Sequence, residues 1–204
     1  MIAAFIHGFI LAFGLILPLG VQNVFVFNQG ATQPSFIRAL PVIITASICD
    51  TILISLAVLG VSVIVLDVYW IRLGFMLVGI LFLLYMGSVT WKSKSSTTAS
   101  NGDALAPSKQ IAFAASVSLL NPHAIMDTIG VIGTSSLSYS GVEKLTFALT
   151  CIIVSWIWFF FLAFVGKKVG KLDQSGKIMN SLNKVSALIM FGTAIYLLYG
   201  VVVS

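Results

Sequence analysis

Residues 15–30 read LILPLGVQNVFVFNQG, an apolar run interrupted by Pro18 and Gly20 and then by the neighbouring carboxamides Gln22 and Asn23. Apolar sequence on both sides puts these residues at the depth of a membrane core. Proline removes a helical hydrogen bond and glycine weakens the turn. A helix broken there exposes backbone N–H and C=O groups that lipid cannot satisfy, so the break is stable only inside protein or beside a watery cavity. The second half repeats the device: residues 118–128 read SLLNPHAIMDT, with Pro122 inside another apolar run. Setting Pro122 on Pro18 places Asp127 against Asn23. Interruptions at matching positions of two halves point to a carrier's substrate site.

A chain that is 59% hydrophobic and 8% charged, with mean hydropathy +1.09, reads as an all-α polytopic membrane protein. Six spans are expected, near 4–27, 40–66, 70–90, 111–132, 145–165 and 185–203, with the first and fourth broken. No Lys or Arg precedes the first apolar run and no small-residue cleavage site follows it, so it reads as a span rather than a signal peptide. Residues 92–109, rich in Ser, Thr, Ala and Asn, read as a flexible cytoplasmic linker between a first three-helix repeat (1–91) and a second (110–204). The connection 166–184 reads as polar and basic.

The halves echo each other in order. LAVLG at Leu56–Gly60 matches LAFVG at Leu162–Gly166, and Gly79 and Gly87 around LLY match Gly192 and Gly200 around LLY. Three spans per half make the second copy enter the membrane from the opposite side. The expectation is a 3+3 inverted repeat that works by alternating access. Of the basic residues, Arg38, Lys92, Lys94, Lys109, Lys167, Lys168, Lys171, Lys177 and Lys184 fall in the odd-numbered connections; Arg72 and Lys144 fall on the other side. That bias places the odd connections in the cytoplasm and both termini outside a cell (inner) membrane.

Asp50 lies ten residues into the second span, about 15 Å along a helix axis. An ionised carboxylate there costs roughly 2.5–3.5 kcal/mol on insertion scales, so it needs a cation, a proton or a watery pocket. Its equivalent in the second half is Trp156, so the charge belongs to one repeat only. A structural role, capping a neighbouring helix end, is the alternative. Asp127 is the other intramembrane carboxylate, nearer a span end, where it could serve only the helix break. His123 and Asp127 stand four apart, which could be half of a metal site, but His7 is far away on another span, and no metal is expected. Gln22, Asn23 and Asn121 carry donors and acceptors fit for an amino acid's α-carboxylate and α-amine, or for capping the broken helices. Cys49 and Cys151 read as apolar filler.

No phosphate-binding G-x-x-x-x-G-K-[ST], nucleophile elbow, zinc signature or acid/base pair occurs, so ATP hydrolysis and enzymatic chemistry are not expected, and no cofactor is implied. A membrane partner subunit without transport of its own stays open, against the expense of a midplane Asp. PLGVQNVFVFNQG, Asp50 followed ten residues later by Gly60, and LLNPHAIMDT resemble the lysine exporter family of amino-acid efflux carriers, closest to its lysine/arginine branch. The resemblance covers essentially the whole chain. It implies a secondary transporter that exports amino acids, driven by the membrane potential or a proton or sodium gradient. Its implied substrate-binding residues are Gln22, Asn23, Asp50, Asn121, His123 and Asp127, with Asp50 also coupling the ion and Pro18, Gly20 and Pro122 breaking the helices. Two carboxylates without an intramembrane Lys or Arg suit L-lysine or L-arginine; a divalent metal ion is the alternative substrate, and a neutral amino acid the third. A homo-oligomer is compatible with this reading.

Overall fold

The structure, a computed structural model, describes residues 1–17, 20–60, 69–92, 104–173 and 177–203. Among these the regular elements are all helical. They are α1 (Ile2–Ile16), α2 (Val21–Thr32), a 3-10 turn (Phe36–Ala39) running into α3 (Leu40–Val58), α4 (Tyr69–Lys92), α5 (Pro107–Leu119), α6 (Pro122–Asp127), a π-helical stretch (Thr128–Gly133), α7 (Thr134–Ser136), α8 (Gly141–Leu172) and α9 (Lys177–Val203). Phe36–Val58 and Gly141–Leu172 are each long and apolar enough to cross a bilayer, with hydropathies of 2.0 and 2.4. Helices α1 and α2 qualify together as one span bent by 77°. Helices α4 and α9 carry the shorter apolar stretches Met76–Lys92 and Asn183–Tyr199. The chain is an integral membrane protein.

Helix α8 is the hub, packed against α1, α2 and α3, while α4 and α9 form a pair that touches α2, α5 and α6. In lipid the hydrophobic effect does not drive helix association, so close backbone approach has to. Residues Ala163, Gly166 and Gly170 of α8 provide it against α2. A Cβ built on Gly30 would lie 2.2 Å from the Ala163 carbonyl oxygen, and one on Gly166 would lie 2.2 Å from that of Phe27. At the other end of α8, Gly8 of α1 sits against Phe147, and the Cys151 thiol donates to the Gly8 carbonyl at 3.6 Å.

Among the described residues, three buried clusters fill the interior. One joins Phe25 and Val26 of α2 to Val42 and Ile43 of α3 and Phe159 and Ala163 of α8. A second joins Ala4 and Ala12 of α1 to Ile54, Ile132 and Phe147. The third joins Leu83 and Met86 of α4 to Met190 and Leu197 of α9.

Several boundaries differ from the sequence reading. The second span was expected to run to 66, but α3 stops at Val58 and Gly60 follows with φ 77°, a left-handed turn that glycine adopts freely; residues 61–68 lie outside the described set. The connection 166–184 is largely helical: α8 continues to Leu172 and α9 starts at Lys177, because lysines are good helix formers and this end of α8 is held against α2. The end of the linker is fastened down. The buried Gln33 and Gln110 amides both donate to the Leu105 carbonyl, at 3.0 and 2.9 Å, and Gln110 donates also to the Arg38 carbonyl at 3.0 Å. Lys167 donates to the carbonyls of Gln33 and Pro34. Pro107 begins α5 rather than sitting in the linker, since the first helical position needs no N–H partner. Linker residues 93–103 and Pro18 lie outside the described residues.

Candidate functional site

Both interruptions are present. Helix α1 ends at Ile16 and α2 restarts at Val21, with Gly20 extended (φ −73°, ψ 174°) as its N-cap and no side-chain cap on that N-terminus. The Asn23 amide folds back to donate to the Ile16 carbonyl at 2.6 Å. It thus satisfies one of the carbonyls that the end of α1 leaves without a helical partner. In the second half α5 ends at Leu119 and Pro122 is the first residue of α6. The Asn121 carbonyl accepts from the Ile125 amide at 3.2 Å, closing the first turn of α6.

A cavity of about 400 Å³ lies between the two breaks, within the roughly 300–1,000 Å³ of small-molecule sites. Gly20, Gln22 and Asn23 line it from the first break, and Asn121 and Asp127 from the second. Asp50 lines it from α3, and Ser155 and Phe159 line it from α8. The wall is otherwise apolar, with Leu15, Ile16, Ile54 and Ile132 among its members. It contains two carboxylates, and no Lys or Arg appears among the described residues lining it.

Asp50 is held from two sides. Gln22 Nε2 donates to its Oδ1 at 2.9 Å, and Ser155 Oγ donates to its Oδ2 at 2.8 Å. Each carboxylate oxygen therefore keeps acceptor capacity for a further donor. One residue along, Trp156 Nε1 donates to Thr51 Oγ1 at 3.0 Å, so α3 and α8 are joined by two adjacent polar contacts.

Five of the six residues named as substrate-binding come together on this cavity: Gln22, Asn23, Asp50, Asn121 and Asp127. Asp127, expected near a span end, shares the cavity with Asp50. The His123 side chain lies outside the described set, as does Pro18. Sequence reasoning missed Ser155, although it stands beside Trp156, the residue aligned with Asp50. It also missed Thr193 on α9, which reaches the cavity from the last helix. The π-helical stretch starting at Thr128 was not expected either. Its wider turn follows directly on Asp127, and Thr128 and Ile132 from it line the cavity. Such bulges occur frequently at functional sites.

Comparison with known proteins identifies the family. The family profile described as LysE type translocator matches residues 13–201. Among individual relatives, the "Putative amino-acid transporter YisU" of Bacillus subtilis (strain 168) is 58% identical over 193 residues, 95% of this chain and 88% of that protein. The "Arginine exporter protein ArgO" of Salmonella typhimurium is 30% identical over 195 residues, 94% of this chain and 91% of that protein. The "Putative amino-acid transporter YggA" of Aeromonas salmonicida is 27% identical over 207 residues, 98% of each chain. No solved structure matches the chain. With the profile spanning nearly its whole length, the chain belongs to the LysE type translocator family, whose members are transporters and not enzymes.

Proposed function

We propose that the protein exports amino acids from the cytoplasm, with the basic amino acids L-arginine and L-lysine as its preferred substrates. The observation that carries this reading is the cavity between the two helix breaks, which holds two carboxylates and several carboxamides and no opposing Lys or Arg among its described lining. A guanidinium or ammonium group supplies the charge that Asp50 and Asp127 lack. Gln22 and Asn121 supply donors and acceptors for the α-carboxylate and α-amine. The start of α2, whose N–H groups carry partial positive charge, also favours the carboxylate end. The names of relatives, an arginine exporter among them, agree with this substrate class.

The transport cycle follows from Asp50, a group able to hold either a proton or a cation. Facing the cytoplasm, the ionised carboxylate takes the cationic side chain. Facing outward, a proton replaces the substrate and returns inward, so export of one cationic amino acid is coupled, without net charge movement, to the proton gradient. Alternating access comes from two inverted three-span halves that rock against each other in the inner membrane, with both termini outside. The packing supports that reading. Exchanging the halves turns the α1–α8 contact into α5–α3, the contact of α2 with α8 into that of the π stretch with α3, and α2–α9 into α6–α4, all of which are present.

The test is uptake into inside-out vesicles with a panel of labelled amino acids and divalent metal ions. Arginine and lysine are expected to accumulate and to compete with each other, whereas neutral amino acids and metals do neither. Accumulation of a metal ion without any amino acid would reverse the assignment.

A further inference from the structure

We infer that Ser155 is a positioning residue of the transport cycle, the contact through which the second half of the chain responds to whether Asp50 holds a proton, a cation or neither. The inference rests on the reading of Asp50 given above. Its geometric basis is that the two oxygens of Asp50 are held by opposite halves: Gln22 comes from α2 and Ser155 from α8. In the proposed rocking, the Ser155 contact crosses from one half to the other, whereas that of Gln22 lies within the first half. Ser155 is 3% exposed, so water does not replace a lost partner freely.

Its hydroxyl is also used unlike those around it. Thr45, Thr51 and Thr150 turn their hydroxyls to the carbonyl four residues back on their own helix. Ser155 instead donates across the helix interface to a carboxylate. That bond is strongest to the ionised carboxylate. When Oδ2 carries a proton, the serine must accept, and its own hydrogen turns to another acceptor. The Cys151 carbonyl, four residues back, is in reach of a helical serine hydroxyl. The two rotamers of one small side chain then report the two states of the carboxyl group to α8, the helix that packs on α1, α2 and α3.

The neighbouring contact is the control. Trp156 joins α8 to Thr51 of α3 through neutral groups, and nothing about that bond depends on charge at Asp50. The titratable side chains near Asp50 among the described residues are Asp127 on the same cavity, Cys151 on α8 and the adjacent Cys49 on α3; α1, α2 and α9 bring none to the cavity.

The experiment follows Asp50 directly by infrared spectroscopy of the purified, reconstituted protein across a pH series. The carbonyl-stretch band of its protonated form is identified as the band that Asp50→Asn lacks. In Ser155→Ala the band position and its titration midpoint are expected to differ from wild type. The midpoint moves by about one pH unit or more, the size of one hydrogen bond to a charged group. In the same membranes, net export of labelled L-arginine falls about tenfold or more. Ser155→Thr restores band, midpoint and export. Trp156→Phe leaves band and midpoint as in wild type. An unchanged Asp50 band in Ser155→Ala, or an equal displacement in Trp156→Phe, overturns the inference. Failure of the wild-type protein to carry arginine, with the spectroscopic pattern intact, removes the substrate assignment and leaves the Ser155 contact standing. An Asp50→Asn protein that exports at the wild-type rate and pH profile removes both.

Discussion

Gln22 and Asn23 are neighbours of the same chemistry with different partners. Asn23 is 5% exposed and bonds the last turn of α1, whereas Gln22 reaches across to Asp50. Asn23→Ala is therefore expected to leave the Ile16 carbonyl without that donor and cost about 1–3 kcal/mol of stability, seen as a lowered thermal midpoint in detergent. Gln22→Ala is expected to keep the midpoint and weaken transport, raising KM for arginine about tenfold or more. If the effects fall the other way round, the division between capping and binding is wrong. The sequence identified these residues because polar groups at membrane depth are expensive. It could not divide them, because two adjacent amides on a helix point in directions that only the three-dimensional break defines. Ser155 escaped notice for the opposite reason: a serine in a span satisfies itself on its own backbone at little cost, so nothing in the sequence marks one that does not.

At the scale of elements, the site depends on how closely the broken span can approach α8. Gly30 and Gly166 meet each other's helix backbones with no room for a side chain, while nothing lies within 4 Å of a Cβ on Gly14. Gly166→Leu and Gly30→Leu are expected to abolish correctly folded protein, read as loss of the monodisperse peak in detergent size exclusion. Overpacking of well-filled cores already costs about 1–3 kcal/mol when the conflict is only with side chains, and here it is with backbone. Gly14→Leu is expected to behave as wild type. An equal loss in Gly14→Leu, or none in Gly166→Leu, would show that this crossing does not set the fold. Three spans, Phe36–Val58, Gly141–Leu172 and the bent first one, were legible from apolar run length, and the two breaks from Pro18, Gly20 and Pro122; α4 and α9 carry shorter apolar stretches than expected. Helix ends were less so, because lysine-bearing turns such as Lys167–Lys171 continue a helix as readily as they end one. The π-helical stretch gave no sign at all. Its residues Thr128–Gly133 are ordinary for a span, and the stretch packs against α3.

For the whole molecule, the proposed orientation and the proposed cycle are separate claims with separate tests. Ser138, exposed before α8, and Ser108, exposed at the start of α5, belong to opposite sides of the membrane in the proposed topology. With native Cys49 and Cys151 replaced by Ala, a cysteine at 138 is expected to react with an impermeant thiol reagent in intact cells, and one at 108 only after lysis. The reverse pattern would invert the protein and the direction of transport with it. The cycle depends on Asp50, a carboxylate that both halves grip. Asp50→Asn keeps the side chain's shape and removes its charge, so the protein is expected to insert and to fold as wild type. The decisive measurement is transport of labelled L-arginine by this variant in proteoliposomes, as net flux and as counterflow, across a pH series. We expect both fluxes to fall at least about tenfold, the scale of a lost charged hydrogen-bond partner, and the residual flux to lose the wild-type pH dependence. Wild-type rates with the wild-type pH profile would contradict the account, leaving Asp50 a structural group and the cavity without its proposed cation site.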